Sequence, residues 1–123
     1  MVVVAAVIER EELILIGQRK QTGRHPLKWE FPGGKVEPGE DYRTALTREL
    51  QEELGIEATI GEEMDRYEVR YGEGPQTELL FFHVTDFRGE PENRDFEQIV
   101  WAPRKTLVEY DFLEGDLRFI GKL

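Results

Sequence analysis

Two residue types with reactive side chains are missing from this chain. It contains neither cysteine nor serine. Without cysteine there is no disulfide framework, no thiolate metal ligand and no cysteine nucleophile, and the absence of serine excludes a serine nucleophile. The chemistry of this protein therefore has to come from its other polar groups, among which carboxylates are the most numerous.

Basic residues are scarce relative to acidic ones. The chain has 16 Lys and Arg against 26 Asp and Glu, a formal net charge of −10 over 123 residues. This charge disfavours a nucleic acid or an anionic membrane as partner, because both repel an acidic surface. A small anionic molecule remains compatible if cations are placed near it. We leave the oligomeric state open, and a monomer is plausible.

Long hydrophobic runs are absent too. The first apolar stretch, residues 2–8, is interrupted by the charged residues 9–12 and is too short to span a membrane. The amino terminus also lacks the basic start and cleavage site of a secretory signal. We therefore expect a cytoplasmic protein that folds as one domain over residues 1–123, a length that supports a single core.

Apolar patterning and turn residues predict strands before, between and after one main helix. The predicted strands are 2–8, 13–16, 58–60, 67–71, 78–84 and 98–103. Residues 18–28 are predicted to form an exposed loop, and 29–40, rich in Gly and Pro, a structured one. Two short helices are expected in residues 103–123, with Leu117, Ile120 and Phe119 packing inward. This order favours an α/β sandwich over a regular βαβ array.

The main helix is predicted over residues 41–54. This segment has no Gly or Pro, Asp41 is a suitable N-terminal cap, and Gly55 supplies the stop. Its apolar stripe consists of Leu46, Leu50 and Leu54.

The same helix carries Glu49, Glu52 and Glu53 within one turn. Each like-charge pair at this spacing costs only about 0.2–0.5 kcal/mol, so a solvated acidic face would explain the cluster. Arg48 lies inside it, however, and the Gly33-Gly34 turn upstream allows a ligand to approach the backbone closely. Hard oxygen donors of this kind suit Mg²⁺ or Mn²⁺ together with substrate phosphates.

The spacing then resembles a known family. Gly34, Glu40 and the segment "RELQEELGI" at 48–56 are similar to the box of the Nudix hydrolases at every fixed position. "WEFPGGKVEPGE" and "DFLEGD" resemble the MutT-type branch, which includes the CTP pyrophosphohydrolases. The resemblance implies an α/β/α sandwich with a mixed sheet between helices, and an enzyme that cleaves a diphosphate linkage in nucleoside diphosphate derivatives.

The resemblance also implies roles for the box residues. The metal ligands would be Glu49, Glu52, Glu53 and the Gly33 carbonyl, with Mg²⁺ as cofactor and Mn²⁺ as a possible substitute. Glu40 and Arg48 would support them by orienting the carboxylates. Glu53 is the first candidate for the general base and Glu97 the second, although Glu97 also fits an ordinary exposed loop acid.

Substrate contacts are expected outside the box. Arg19 and Lys35 are candidates for phosphate, although Lys35 also fits a solvated lysine or a pair with Glu37. The residues expected near the base are Glu30, Phe31, Phe81 and Asp116. Either phenylalanine could stack on the base, and core packing is the alternative. Asp116 stands where MutT has an asparagine; an ionised aspartate only accepts hydrogen bonds, which suits amino and ring N–H donors.

These inferences lead to a predicted activity: Mg²⁺-dependent hydrolysis of (deoxy)nucleoside triphosphates to the monophosphate and pyrophosphate, with nucleotide-pool sanitation as the role. 8-oxo-dGTP and a modified or ordinary pyrimidine triphosphate compete as substrates. The alternatives are a Nudix hydrolase of another nucleoside diphosphate derivative and a non-catalytic nucleotide sensor. The intact glutamates 49, 52 and 53 argue against the sensor.

Overall fold

The computed structural model describes residues 1–123. Its strands are β1 (Val2–Arg10), β2 (Leu13–Gln18), β3 (Trp29–Glu30), β4 (Gly33–Lys35), β5 (Glu57–Thr59), β6 (Glu63–Arg70), β7 (Gln76–Val84), β8 (Asp86–Arg88) and β9 (Gln98–Pro103). Its helices are α1 (Tyr42–Leu54), a 3₁₀ helix (Arg104–Glu109) and α2 (Glu114–Ile120). None of these helices combines the length and the apolar character that crossing a membrane requires.

Strand β1 is the centre of a mixed seven-stranded sheet. It pairs in parallel with β7 along its length, from Val2 opposite Glu78 to Ile8 opposite Val84. On its other edge it pairs antiparallel first with β4 and then, at its end, with β2. Strand β9 extends the sheet beyond β2, and β5 and β8 form a separate small sheet. The change of partner along β1 brings β4 against the edge of the central strand.

Alternate side chains of β1 enter two different hydrophobic cores. On one face, β1 packs against the α1 stripe; the shared cluster includes Val4, Ala6, Ile8, Leu46, Leu50 and Leu54. On the other face it packs against α2; that cluster includes Ala5, Val7, Phe31, Phe81, Phe119 and Ile120. Helices thus cover both faces of a mixed sheet, and the predicted sandwich is confirmed.

Helix α1 begins and ends where its sequence predicts. The Asp41 carboxylate accepts a hydrogen bond from the Thr44 N–H at 2.9 Å, which satisfies a free donor of the first turn. Gly55 adopts the left-handed conformation with φ of 68° and donates its N–H to the Gln51 carbonyl, an arrangement that glycine adopts without steric cost. The two caps fix the ends of α1 and therefore the positions of the three glutamates along it.

Several short elements differ from the prediction. The expected loop at 29–40 contains β3 and β4, strand β6 begins at Glu63 rather than at 67, and β8 was not predicted. Strands of two or three residues depend on their partners rather than on their own patterning. The prediction that Leu117 packs inward is wrong, because this residue is 52% exposed. Phe119 and Ile120 are buried as expected.

Candidate active site

A cavity of about 320 Å³ lies beside the first half of β1. Its wall is formed by β1, β4 and β7, by the loop between β2 and β3, and by the start of α2. The charged and titratable side chains that line it are Arg19, Arg24, His25, Glu30, Lys35, Glu53, Asp95 and Asp116. The lining contains both acids and cations, so one molecule bound in this cavity would meet both signs of charge.

The two glycines of β4 allow this strand to pass between β1 and α1. A Cβ atom on Gly33 would overlap the β1 backbone at Val4, and one on Gly34 would overlap the carboxylate of Glu49. The Gly33 N–H donates a hydrogen bond to Oε1 of Glu53 at 3.0 Å. Glu49 and Glu53 therefore face the backbone of β4 directly, whereas the sequence predicts only that a ligand can approach this turn closely.

Arg48 holds the outer side of the glutamate cluster together. Its guanidinium contacts Glu40 at 2.9 Å, Glu49 at 3.0 Å and Glu52 at 3.4 Å. It also donates to the Lys35 carbonyl at 3.2 Å, and thereby connects α1 to β4. The hydrogen bond from Arg48 lowers the pKa of Glu40. These contacts agree with the supporting roles predicted for Glu40 and Arg48.

Glu53 is the most deeply buried acid of α1, with 9% of the residue exposed. Burial, and after it the nearby Glu30, raise the pKa of its carboxyl group to about 9, and the hydrogen bond from Gly33 acts in the opposite direction. Burial also raises the pKa of Glu49, against the effect of Arg48. Acids placed so close together need either a proton or a cation, and oxygen donors of this kind fit Mg²⁺ or Mn²⁺.

Glu52 is oriented differently from its two neighbours. Its side chain is 59% exposed and pairs with Arg48, whereas the side chain of Glu49 is only 15% exposed and Glu53 lines the cavity. No three acidic or histidine side chains converge in a geometry that could hold a metal ion. Glu49 and Glu53 are therefore the inner candidates for metal binding, and Glu52 could join them only by rotating its flexible side chain.

The opposite end of the cavity contains two acids from distant parts of the chain, the buried Asp116 and the half-buried Glu30. Asp116, in the first turn of α2, is 7% exposed; burial and the nearby Glu30 raise its pKa to about 8, and the Phe31 N–H opposes the shift. Burial also raises the pKa of Glu30, although Arg19 pairs with it at 3.1 Å. A protonated Asp116 both donates and accepts hydrogen bonds, so the acceptor-only behaviour of the ionised form does not apply at neutral pH.

The two predicted stacking residues are buried side chains in the floor of the cavity. Phe81 has no exposed surface and stacks on Phe119 with ring centroids 4.1 Å apart. Phe31 is 3% exposed and packs against Phe112 with ring centroids 5.2 Å apart. Both rings line the cavity floor, but core packing, the alternative noted for them, accounts for their position and leaves no open ring face for a base.

Arg19 and Lys35 both line the cavity, whereas Glu97 does not. Glu97 is exposed, and only its backbone N–H is engaged, with the Gln18 carbonyl at 2.8 Å. Asp95, two residues earlier, lines the cavity instead and raises the pKa of Glu53. Asp95 rather than Glu97 is therefore the acid of this loop that lines the cavity.

Several other residues that line the cavity have no recognisable signal in the sequence. Arg24 and His25 were predicted only as part of an exposed loop, and Tyr71 and Thr77 only as strand or turn positions. All four line the cavity. Their membership depends on how distant segments pack, and no local pattern in the chain marks it.

These features define a class of protein: a mixed sheet between helices, with acids of one helix held against a glycine turn at the end of a polar cavity. The chain belongs to the NUDIX family, because the model of the NUDIX domain matches residues 1–123. Nudix hydrolases generally depend on a divalent metal ion. The family predicted from the box is therefore confirmed.

Curated relatives resemble nearly the whole chain. A CTP pyrophosphohydrolase of Escherichia coli K12 is 43% identical over 115 residues, which cover 94% of this chain and 84% of that protein. An 8-oxo-dGTP diphosphatase of Haemophilus influenzae is 36% identical over 124 residues, covering 98% of this chain and 89% of that protein. The solution structure of the E. coli ORF135 protein superimposes with a TM-score of 0.87 at 41% identity, covering 98% of this chain and 85% of that one.

Proposed function

We propose that this chain, as a single domain over residues 1–123, hydrolyses (deoxy)nucleoside triphosphates to the monophosphate and pyrophosphate. Its cofactor is Mg²⁺, for which Mn²⁺ can substitute, and its role is sanitation of the nucleotide pool. One observation carries the proposal: a single cavity is lined both by Glu53 of α1, which lies next to Glu49 on the same helix, and by the buried Asp116 of α2. The relatives named for hydrolysis of CTP and 8-oxo-dGTP support it.

The α1 end of the cavity is suited to the phosphate chain. Glu49 and Glu53 offer carboxylate oxygens on one side of β4, and a cation held there supplies charge neutralisation for the diphosphate and activation of water. Lys35, next to the glycine turn, and Arg19 both line the same cavity and are the candidates for phosphate contact, although the guanidinium of Arg19 also pairs with Glu30. Glu40 and Arg48 keep the two carboxylates in position.

Proton transfer needs a general base at the α1 end of the cavity. Glu53 itself is the first candidate for the general base once its proton has been displaced. Asp95 is the second, because it lines the cavity and lies near enough to Glu53 to raise its pKa. Glu97 lies outside the cavity, so we assign it no role in proton transfer.

The α2 end is suited to the base. A protonated Asp116 can donate one hydrogen bond and accept another, so it complements a base edge that presents an acceptor next to an N–H donor. Cytosine and 8-oxoguanine both present such an edge. Glu30, held by Arg19, is placed to accept a further N–H group. A pyrimidine triphosphate and 8-oxo-dGTP therefore both belong in the substrate test.

The test is incubation of the protein with Mg²⁺ and each of 8-oxo-dGTP, dGTP, CTP, 5-methyl-dCTP and dUTP, with all products resolved. We expect monophosphate and intact pyrophosphate from at least one nucleotide, and no products after chelation of the metal. The control is Glu62→Gln, which alters an exposed glutamate outside the cavity. If no nucleotide is cleaved although one of them binds, the protein is a nucleotide sensor and the proposed activity is wrong.

A further inference from the structure

The cavity contains only two aromatic rings that are not part of the core. In total, four side chains with aromatic rings line the cavity: His25, Phe31, Tyr71 and Phe81. Phe31 and Phe81 are almost fully buried, whereas His25 and Tyr71 are both half-buried. A ligand ring in this cavity can therefore gain a stacking partner only from His25 or Tyr71.

Tyr71 follows the end of β6 and lies close to the acids at the α2 end. Its hydroxyl group packs directly on Gly115, where a Cβ atom would overlap it, so the ring stands next to Asp116. Tyr71 also lines a second groove on the outer side, together with Tyr110 and Leu117. Its ring thus forms a wall between the cavity and that groove.

His25 adjoins this wall from the loop between β2 and β3. Its ring centroid lies 5.0 Å from that of Tyr71, and the two ring planes are tilted by 51°, so the imidazole does not lie flat on the tyrosine. The backbone of His25 has φ of 51°, a conformation uncommon for residues other than glycine. The loop is held in this conformation by bonds between Arg19 and Lys28 and between Leu27 and Arg19.

We propose that the nucleobase stacks on the ring of Tyr71, beside His25, while Asp116 hydrogen-bonds its polar edge. This inference rests on the proposed function in that the ligand is a nucleotide. Stacking on an aromatic ring accepts every base, because all bases have a π-face. Tyr71 then provides affinity for bases in general, and Asp116 provides the choice among them.

The experiment measures equilibrium binding by calorimetry, in the presence of Mg²⁺, for CMP, dGMP and inorganic tripolyphosphate. Tyr71→Leu removes the ring and retains much of its volume, and we expect it to weaken CMP and dGMP by at least about fivefold. Binding of tripolyphosphate, which has no base, should not change. Tyr71→Phe should bind all three ligands as the wild type does. Tyr42→Leu is the matched control, because Tyr42 is half-buried and lies outside the cavity.

Two results would overturn the inference. One is unchanged binding of CMP and dGMP by Tyr71→Leu; the other is an equal loss for tripolyphosphate, which would show a structural role. If Tyr71→Leu does not fold, nuclear Overhauser effects in the wild type decide instead, since stacking requires contacts between the Tyr71 ring protons and the base protons of bound CMP. None of these measurements needs turnover, so a protein without hydrolase activity could still confirm or contradict stacking.

Discussion

The two ends of the cavity use carboxyl groups in different ways. At the α1 end, Arg48 contacts three acids within 3.4 Å, and its hydrogen bond lowers the pKa of Glu40. At the α2 end, Arg19 pairs with Glu30, but no cation contacts Asp116, whose pKa rises to about 8. Arg48 thus favours the ionised form of Glu40 at one end, although burial raises the pKa of Glu49 and Glu53 there. At the other end, burial favours the neutral form of Asp116 and no cation opposes it by direct contact.

This difference suits the two parts of a nucleotide. Ionised carboxylates bind a cation that screens phosphate, and protonated ones form hydrogen bonds with an uncharged base. Glu53 combines features of both ends, because it is buried like Asp116 and has both Glu30 and Glu49 as neighbours. It is consequently the residue whose replacement should separate activity from stability most clearly.

Glu53→Gln should cause the largest loss of activity. Replacing a residue that orients a metal ligand commonly lowers metal affinity or activity by about 10- to 100-fold. We expect removal of a proposed ligand itself to lower kcat/KM by more than about 100-fold. Steady-state rates of pyrophosphate release will measure this, with Glu62→Gln as the control. A Glu53→Gln enzyme with near wild-type kcat/KM would remove Glu53 from the metal site.

The same substitution should not destabilise the fold. At neutral pH the raised pKa keeps Glu53 protonated in the absence of a cation, so a neutral amide of the same shape replaces a neutral acid. The Tm of metal-free Glu53→Gln should therefore equal or exceed that of the wild type. A marked decrease in Tm would show that the acid is needed for folding.

Gly34→Ala tests the close approach between β4 and α1. The new Cβ atom would overlap the Glu49 carboxylate, and the side chain must move to make room. We expect kcat/KM to fall by about 10- to 100-fold, the range found when a metal ligand loses its orientation. Gly121→Ala is the control, because Gly121 has a helical φ of −62° and no atom near its Cβ position closer than ordinary contact. Equal activities of the two variants would contradict the steric account.

The α1 end could be predicted from the sequence because it is almost continuous. Glu49 and Glu53 are one helical turn apart, and Gly33 and Gly34 precede the same helix by only a few residues. Helix geometry and the resemblance to the Nudix box therefore place these groups together without knowledge of the rest of the fold.

The α2 end could not be predicted in the same way. Tyr71 and His25 meet Asp116 only because β6, the loop after β2 and the start of α2 pack around one cavity. Phe31 and Phe81 are of a residue type that can stack on a base. Both rings are buried in the aromatic core, however, so their faces are not available to a ligand. Leu117 shows the same limit: in a seven-residue helix, tertiary packing rather than periodicity selects the buried side.

Asp95 and Glu97 provide a paired test of the loop before β9. Asp95→Asn should lower kcat by about 10-fold, a modest effect for a general base that a water or a second acid can replace. Glu97→Gln should leave kcat unchanged, because Glu97 lies outside the cavity. Single-turnover rates measured on both variants decide between them. A larger effect for Glu97 than for Asp95 would restore the choice made from the sequence.

Asp116→Asn should have the smallest effect on activity near neutral pH. The amide donates and accepts hydrogen bonds as the protonated acid does, so we expect KM for the preferred nucleotide to change by less than about threefold at pH 6. The wild type should lose affinity as pH rises through about 8, where Asp116 ionises, whereas the variant should not. Parallel KM profiles for the two proteins would contradict a protonated Asp116.

Stability should show the same titration without any substrate. The groups that face Asp116 are Glu30, Tyr67 and Tyr71. The pKa of Asp116 is about 8 in the native state and about 3.9 in the unfolded chain. Between these values the native state binds the extra proton, so this group lowers the stability of the wild type as pH rises from 4 to 8. Asparagine does not titrate, and the Tm of Asp116→Asn should therefore exceed that of the wild type by an amount that grows between pH 5 and pH 8.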